Sequence, residues 1–324
     1  LLKAELLHAR IKQHHLTAQQ RLISSVDLLG RIGTVMPHLT NWLMNRRSVR
    51  HIMGRMFDLT DQRPLPEFAH RRFDRWFAKH KSLTTPHRGR VILWDDTFVR
   101  YHEPHIGHAA VAVLEAAGFE VALVSKRKCC GRPAFSMGHL DLSEELGRHN
   151  LALLAGGDEN EPVLFLEPSC YSMFAEDYRE LKLPGAEAIA ARCYLFEDFM
   201  ENLLRQEPDA LKFDREPGRI AIHLHCHAKA LTDGKSAVRL ASHIPNRAVK
   251  LIEAGCCGMA GSFGMLESKY ELSLKIAEPL LQAIQQQPYG TTVVVSGASC
   301  RHQVQHLATV RAKHMAEILA EALA

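Results

Sequence analysis

No apolar run in the 324 residues approaches the ~20 that a membrane-spanning helix requires. Nor does a secretory leader, basic and then apolar with a small-residue end, precede the body. A protein without transmembrane segments is expected, cytoplasmic or peripheral to the inner membrane. The common nucleotide and acyl-transfer signatures are missing too: no Gly-x-Gly-x-x-Gly follows a strand, and neither Gly-x-x-x-x-Gly-Lys-Ser/Thr nor Gly-x-Ser-x-Gly occurs. Aromatic residues are sparse at 7%, and those in the basic first quarter (Phe57, Phe68, Phe73, Trp76, Phe77) look like core anchors. They do not form the interleaved stacking platform that nucleic acid requires. With no export signal, eight cysteines argue against a disulfide framework and for metal ligation or redox chemistry.

What the sequence has in ordinary measure is core: 46% apolar and 23% charged residues, the balance of a globular chain long enough for two packed units and a smaller segment. It starts Leu1-Leu2-Lys3-Ala4-Glu5-Leu6, already helical in pattern and without Met, so a piece of a longer protein is expected. Charge is uneven. Residues 1–90 carry 17 Lys and Arg against 6 Asp and Glu, and the remainder carries 23 against 30. A basic helical arm lying on an acidic body through a largely apolar contact accounts for that, since exposed ion pairs contribute only about 0–1 kcal/mol each.

Apolar residues at three- and four-residue spacing predict helices over 3–14, 18–33 and 38–56, with Pro37 interrupting. A stiff turn at Arg63-Pro64-Leu65-Pro66 leads to a helix around 68–80 and a linker over 84–89, giving a helical arm of 1–88. Beyond it the chain repeats itself. Strands at 91–94, 121–124 and 162–166 alternate with helices after Pro104 and over 142–155, and strands at 220–224, 249–252 and 292–295 flank a helix over 265–286. Cys129-Cys130-Gly131 and Cys256-Cys257-Gly258 start 127 residues apart, and Ser169-Cys170 and Ser299-Cys300 are 130 apart. A constant offset carrying the same order of elements is an internal duplication, 89–216 and 217–324. Strand–helix alternation makes each half an α/β unit with a parallel, Rossmann-like sheet, the two related by pseudo-twofold symmetry.

In such sheets ligands sit beyond the carboxyl ends of the strands, where Cys170, Cys226 and Cys300 fall. The second repeat offers Cys226, Cys256, Cys257 and Cys300, four thiolates from three loops, enough for an iron–sulfur cluster or a tetrahedral zinc. Gly255, Gly258, Gly261 and Gly264 around the pair let backbone wrap closely and aim amides at sulfur. The first repeat has the weaker set Cys129, Cys130 and Cys170, with Asp95-Asp96-Thr97 where the second has Cys226, and Arg132-Pro133 crowding the site. That set suits a mononuclear metal or nothing, and Cys193 is core. His223, His225 and His227 alternate with Leu224 and Cys226, so on an extended strand they share the face opposite Cys226. His225 and His227 are read as hydrogen-bonded neighbours of the centre, or as ligands or proton relays. Tyr101-His102-Glu103-Pro104 offers an acid/base pair, but Glu103 before a proline reads better as a helix start. No catalytic residue is assigned.

Cys129-Cys130-Gly131-Arg132-Pro133, Leu166-Glu167-Pro168-Ser169-Cys170, His225-Cys226-His227-Ala228-Lys229-Ala230-Leu231 and residues 255–264 resemble the cysteine-rich CCG domain. That domain occurs in the cysteine-rich subunit of heterodisulfide reductase, the iron–sulfur subunits of glycolate and anaerobic glycerol-3-phosphate dehydrogenases, and lactate-utilisation proteins. Asp96-Thr97-Phe98, Tyr101, Glu103-Pro104 and Ser299-Cys300-Arg301 resemble in particular the C-terminal part of bacterial FAD-linked oxidases fused to iron–sulfur modules, which oxidise D-lactate or D-2-hydroxyglutarate. The resemblance implies a [4Fe-4S] cluster, or else a single zinc or iron, on Cys226, Cys256, Cys257 and Cys300. FAD would sit in another part of the parent. Partners would be its flavin and ferredoxin-like domains and a downstream electron acceptor, with a homo-oligomer left open. The fragment alone would be inactive. The heterodisulfide reductase pattern ends in Cys-x-x-Cys, whereas Gly297 and Glu167 stand three residues before Cys300 and Cys170. Without a fifth thiolate, disulfide-cleaving chemistry is not implied. A structural-metal docking scaffold and a thiol–disulfide domain are the alternatives.

Overall fold

The computed structural model describes residues 1–82 and 84–324. Val91-Ile92-Leu93-Trp94 has no polar alternation, so it needs cover on both faces, and all four are buried in β1 (Arg90–Trp94). Parallel to it run β2 (Glu120–Ala122), β3 (Val163–Phe165) and β4 (Cys193–Leu195), in the order β2-β1-β3-β4. The second sheet has β5 (Gly218–His223), β6 (Arg247–Leu251) and β7 (Thr291–Val295) in the order β6-β5-β7, again all parallel.

The architecture is α/β with two repeats, as the duplicated elements predict. β1 and β5 occupy equivalent places, as do β2 and β6, and β3 and β7. The counterpart of β4 shrinks to a single bridge, Lys313 beside Val294, with Val295 N donating to Lys313 O at 2.8 Å. A helix follows in each repeat and crosses to the other: Phe196–Gln206 packs on Ser236–Ser242, and Met315–Glu321 packs on Pro104–Ala116. This reciprocal exchange builds one apolar core through both sheets, from Val91 and Leu114 to Ile222, Leu240 and Leu319.

The arm packs on both repeats. Helix Leu2–His14 lies on Leu140–Ala155, putting Ala4 into the first repeat's outer core, and Leu59 enters the second's. A Cβ on Gly30 would run into the Tyr101 ring and one on Gly33 into the Phe68 ring, so Gly30 sets the closeness of helix Val26–Gly33 to the body and Gly33 its closeness to the later part of the arm. The opposite side of this segment, with Leu28, Ile32, Val35, Met36 and Trp42, is exposed.

Three helical expectations in the arm are corrected. The helix expected over 18–33 divides at Ser25, whose hydroxyl donates to Arg21 O at 2.8 Å, a local bond that competes with continuation. The one over 38–56 divides at Asn45 and the extended Arg46. The one around 68–80 contracts to Phe73–Phe77, because the Asn41 amide takes both Phe68 N (2.8 Å) and Phe68 O (2.9 Å), while Ala69 N donates to Tyr101 O. Likewise, in the body, the helix expected from 265 begins at Tyr270, since Leu266 bridges Leu59 and Glu267 N donates to Asp58 O. Among the described residues, no helix is long and apolar enough to cross a membrane.

Candidate metal centre

The three strands of the second sheet end side by side, and the loops beyond them converge. Cys226, Cys256, Cys257 and Cys300 line one small cleft together with His223, His225, Gly255, Ala260 and Ser299. β5 stops at His223 and Cys226 opens the helix Cys226–Leu231, so the alternation expected of an extended strand is broken and His225 reaches the cleft beside Cys226. His225 Nδ1 accepts from His227 N at 3.1 Å. His227 itself turns to the first repeat, its Nδ1 2.7 Å from Ser172 Oγ and its ring beside Arg132.

Of the glycines, Gly255 lines the cleft, while Gly258 N donates to Cys256 Sγ at 3.3 Å, an amide aimed at sulfur. Gly258 has φ +82°, and a Cβ there would run into the Ser273 carbonyl on the next helix; in the first repeat a Cβ on Gly131, φ +80°, would come within 3.3 Å of Ser143 Cα, a tight fit without overlap. The glycine of Cys-Cys-Gly thus seats the cysteine pair against the helix behind it. Gly261 serves a left-handed turn and lies outside the cleft.

Cys226 and Cys256 stand at the mouth, with Cys257 and Cys300 buried beneath. The Cys257 thiol, although contact with Cys256 pulls it down, is pushed up to about 12 by contact with Cys300 and by burial. Burial and then Cys256 push the Cys226 thiol up as well. Clustered thiols resist ionisation when nothing compensates the charge, and a bound cation would supply that compensation. Four soft donors without a carboxylate among them fit a thiophilic metal or an iron–sulfur cluster. Among the described residues, no three His, Cys, Asp or Glu side chains already stand together at coordinating distance, so binding would draw the thiols inward.

In the first repeat Cys129, Cys130 and Cys170 are all buried, with Cys170 Sγ 3.0 Å from Cys130 Sγ. Their loop is clamped: Tyr178 Oη donates to Cys130 O at 2.6 Å, and the Asn150 amide donates to Cys129 O at 3.0 Å and accepts from Lys128 N. Asp96 follows β1 as Cys226 follows β5, but its Oδ1 caps a helix by accepting from Phe98 N, and its buried Oδ2 has no partner. Burial, and then the Glu167 charge, push this carboxyl up to about 7. Arg132, expected to crowd the site, extends to Asp177 (2.5 Å) and His227. Cys193 is core in β4, its Sγ donating to Ile189 O.

The positions lacking a fifth thiolate have other occupations. Glu167 Oε2 accepts from Ala298 N across the repeats at 2.7 Å, and any side chain at Gly297 would meet the His225 ring. Glu103 sits just before the helix Pro104–Ala116, and its carboxylate pairs with Arg301 of the second repeat instead of serving as an acid. Sequence reasoning missed these cross-repeat roles of Glu167 and Arg301, and also the buried carboxyl of Glu197 and the side chain of Arg63. None carries a local signal, because each partner lies far away in the chain.

The family model of the CCG cysteine-rich domain matches residues 97–175 and 220–305, one match on each repeat. A subunit of the anaerobic glycerol-3-phosphate dehydrogenase of Escherichia coli K12 is 26% identical over 306 residues, 94% of this chain and 76% of that protein. Lactate utilization protein A 2 of Bacillus mycoides is 28% identical over 184 residues, covering 54% and 74% respectively. Lactate utilization protein A of Bacillus cereus B4264 is 27% identical over the same length. With a matched cysteine pair at the carboxyl ends of both sheets, the chain belongs to the CCG cysteine-rich domain family.

Proposed function

We propose that the chain is the electron-transfer module of a flavin-dependent D-2-hydroxy-acid dehydrogenase, with Cys226, Cys256, Cys257 and Cys300 holding a [4Fe-4S] cluster. The observation that carries this is the convergence of those four thiols on one cleft at the ends of three parallel strands. The similar proteins are by name part of a dehydrogenase and lactate-utilisation proteins, which supports an oxidoreductase setting. A cluster in the cleft would take up and pass on single electrons. The chain's own part is to supply thiolates, to direct Gly258 N at Cys256 Sγ, and to cover the buried side with Cys257 and Cys300. The flavin and ferredoxin-like domains of the parent would deliver electrons to it. A thiol–disulfide role is disfavoured by the same chemistry, because the nucleophile is the thiolate: against the pull of Cys130, burial pushes the Cys170 thiol up to about 11.

The test combines anaerobically iron–sulfide-loaded chain with D-lactate or D-2-hydroxyglutarate and a flavin-containing D-2-hydroxy-acid dehydrogenase. The cluster absorption should bleach only when the flavoprotein is present, with no turnover by the chain alone. Oxidation of the hydroxy acid by the chain unaided, or a centre that the flavoprotein cannot reduce, would contradict the proposal.

A further inference from the structure

Among the described residues the buried arginines are compensated, with one exception. Arg100 pairs with Asp95, Arg127 with Asp27 and Arg301 with Glu103, each at 2.6 Å, and Arg192 donates to the carbonyls of Leu154 (2.8 Å) and Glu161 (2.7 Å). Arg63 is 0% exposed, yet among the described residues its only hydrogen bond is from Nε to Gly264 O at 3.1 Å, and Nη1 and Nη2 are buried without partners there. The Tyr270 ring lies 5.3 Å from the guanidinium carbon, the Cys257 thiol is near enough to favour the guanidinium charge, and burial, with that charge adding to it, keeps His302 and His306 neutral. No carboxylate forms an ion pair with it among the described residues. A buried guanidinium without a counter-ion is strongly unfavourable, so the arrangement calls for an anion.

The arm holds Arg63 in place. Leu59 bridges Leu266, Thr60 N donates to Met265 O at 2.8 Å, and the Arg63-Pro64-Leu65-Pro66 run lies on the glycine-rich loop that follows Cys256-Cys257. Metal binding deprotonates the cysteines, and four thiolates leave a metal or cluster site with net negative charge. We infer that Arg63 is the counter-cation of the second-repeat centre, its unpaired Nη groups facing the charge that the cysteine thiolates and their metal carry. The inference rests on the proposed metal site and extends that site into the arm. Arg63 is a positioning residue: it touches no electron donor, but a cation beside the centre favours the reduced form and raises the potential.

The sign of its contribution should reverse with loading, because neutral thiols offer a cation nothing. The full chain is compared with Arg63→Met, Arg63→Gln and Arg63→Lys, each metal-free and iron–sulfide-loaded under anaerobic conditions. Thermal midpoints are measured in both states, and the redox midpoint potential in the loaded one. Metal-free Arg63→Met should melt higher than the parent, and loaded Arg63→Met lower. Its potential should fall, a tenfold change in the reduced-to-oxidised ratio being about 59 mV for a one-electron centre. Arg63→Gln tests the same loss of charge with a polar chain, and Arg63→Lys should restore most of the potential. Equal stability changes in both states, or an unchanged potential in a centre that loads normally, overturns the inference while leaving the metal site standing. A parent chain that takes up no metal overturns both.

Discussion

Arg301 Nη2 lies 2.6 Å from Glu103 Oε2, and this ion pair joins the helix that carries the last cysteine of the second repeat to the start of a helix in the first. Arg301 also donates to Val295 O (3.1 Å) and Ser296 O (2.5 Å), so the guanidinium fixes the end of β7 just before Cys300. Removing one partner of a buried pair leaves an uncompensated charge. With the Glu103 side chain 26% exposed and Arg301 still bonded to two carbonyls, Glu103→Gln should cost about 1.5–3 kcal/mol in denaturant unfolding, whereas replacing both residues by Met should cost less. Burial opposes ionisation of Glu103, but Arg301 outweighs it and holds the carboxyl below its usual range. The pair's contribution is thus complete above the unfolded-state value and is lost as pH falls through the lower folded one.

Two other carboxyls have the opposite sign. Burial pushes both Asp96 and Glu197 up to about 7, in Asp96 with help from Glu167 and in Glu197 against a hydrogen bond from Ser296. Each stays protonated in the folded chain over a range where the unfolded chain has released the proton. Over about pH 4 to 7 each of these two carboxyls therefore contributes a fall in stability of up to about 1.4 kcal/mol per pH unit, opposite in sign to the contribution of His225, His302 and His314, which burial pushes down to about 4, about 4 and about 3. Thermal unfolding of the parent and of Asp96→Asn across this window should diverge, the variant losing less stability or gaining more as pH rises, with the Glu197 contribution left in both.

Gly258→Ala places a Cβ against the Ser273 carbonyl at φ +82° and should destabilise by about 1–3 kcal/mol, whereas at Gly255 nothing lies within 4 Å of the added carbon. Urea midpoints of Gly258→Ala and Gly255→Ala should separate accordingly.

The two cysteine sets should differ in metal content. Cys257→Ser removes a thiolate from a four-thiol cleft, while Cys130→Ser removes one from a set completed only by Asp96, a poor substitute for a soft ligand. Most of the bound metal should go with Cys257→Ser and little with Cys130→Ser. Equal losses would mean that the repeats build one shared site.

The duplication, the parallel sheets and the cysteine sets were legible because each rests on local pattern or constant offset: Val91-Ile92-Leu93-Trp94 needs no knowledge of its partners to be a buried strand. The helix ends were less legible, since Asn41 and Asp58, distant in sequence, take the backbone groups that helices at 68 and 265 would have used. The charge network between the repeats was not legible at all. Glu103 looked like a helix start and Arg63 like part of a turn, and only folding shows that one is neutralised by Arg301 and that the Nη groups of the other are buried without partners among the described residues.

The central claim is that the second-repeat cleft holds an iron–sulfur centre, and the measurement that bears on it most directly is iron, zinc and acid-labile sulfide per chain after anaerobic purification. The expected result is about four iron and four sulfide per chain with little zinc, lost in Cys257→Ser. Zinc without sulfide, or a metal-free chain with all eight thiols open to alkylation after unfolding, would contradict it.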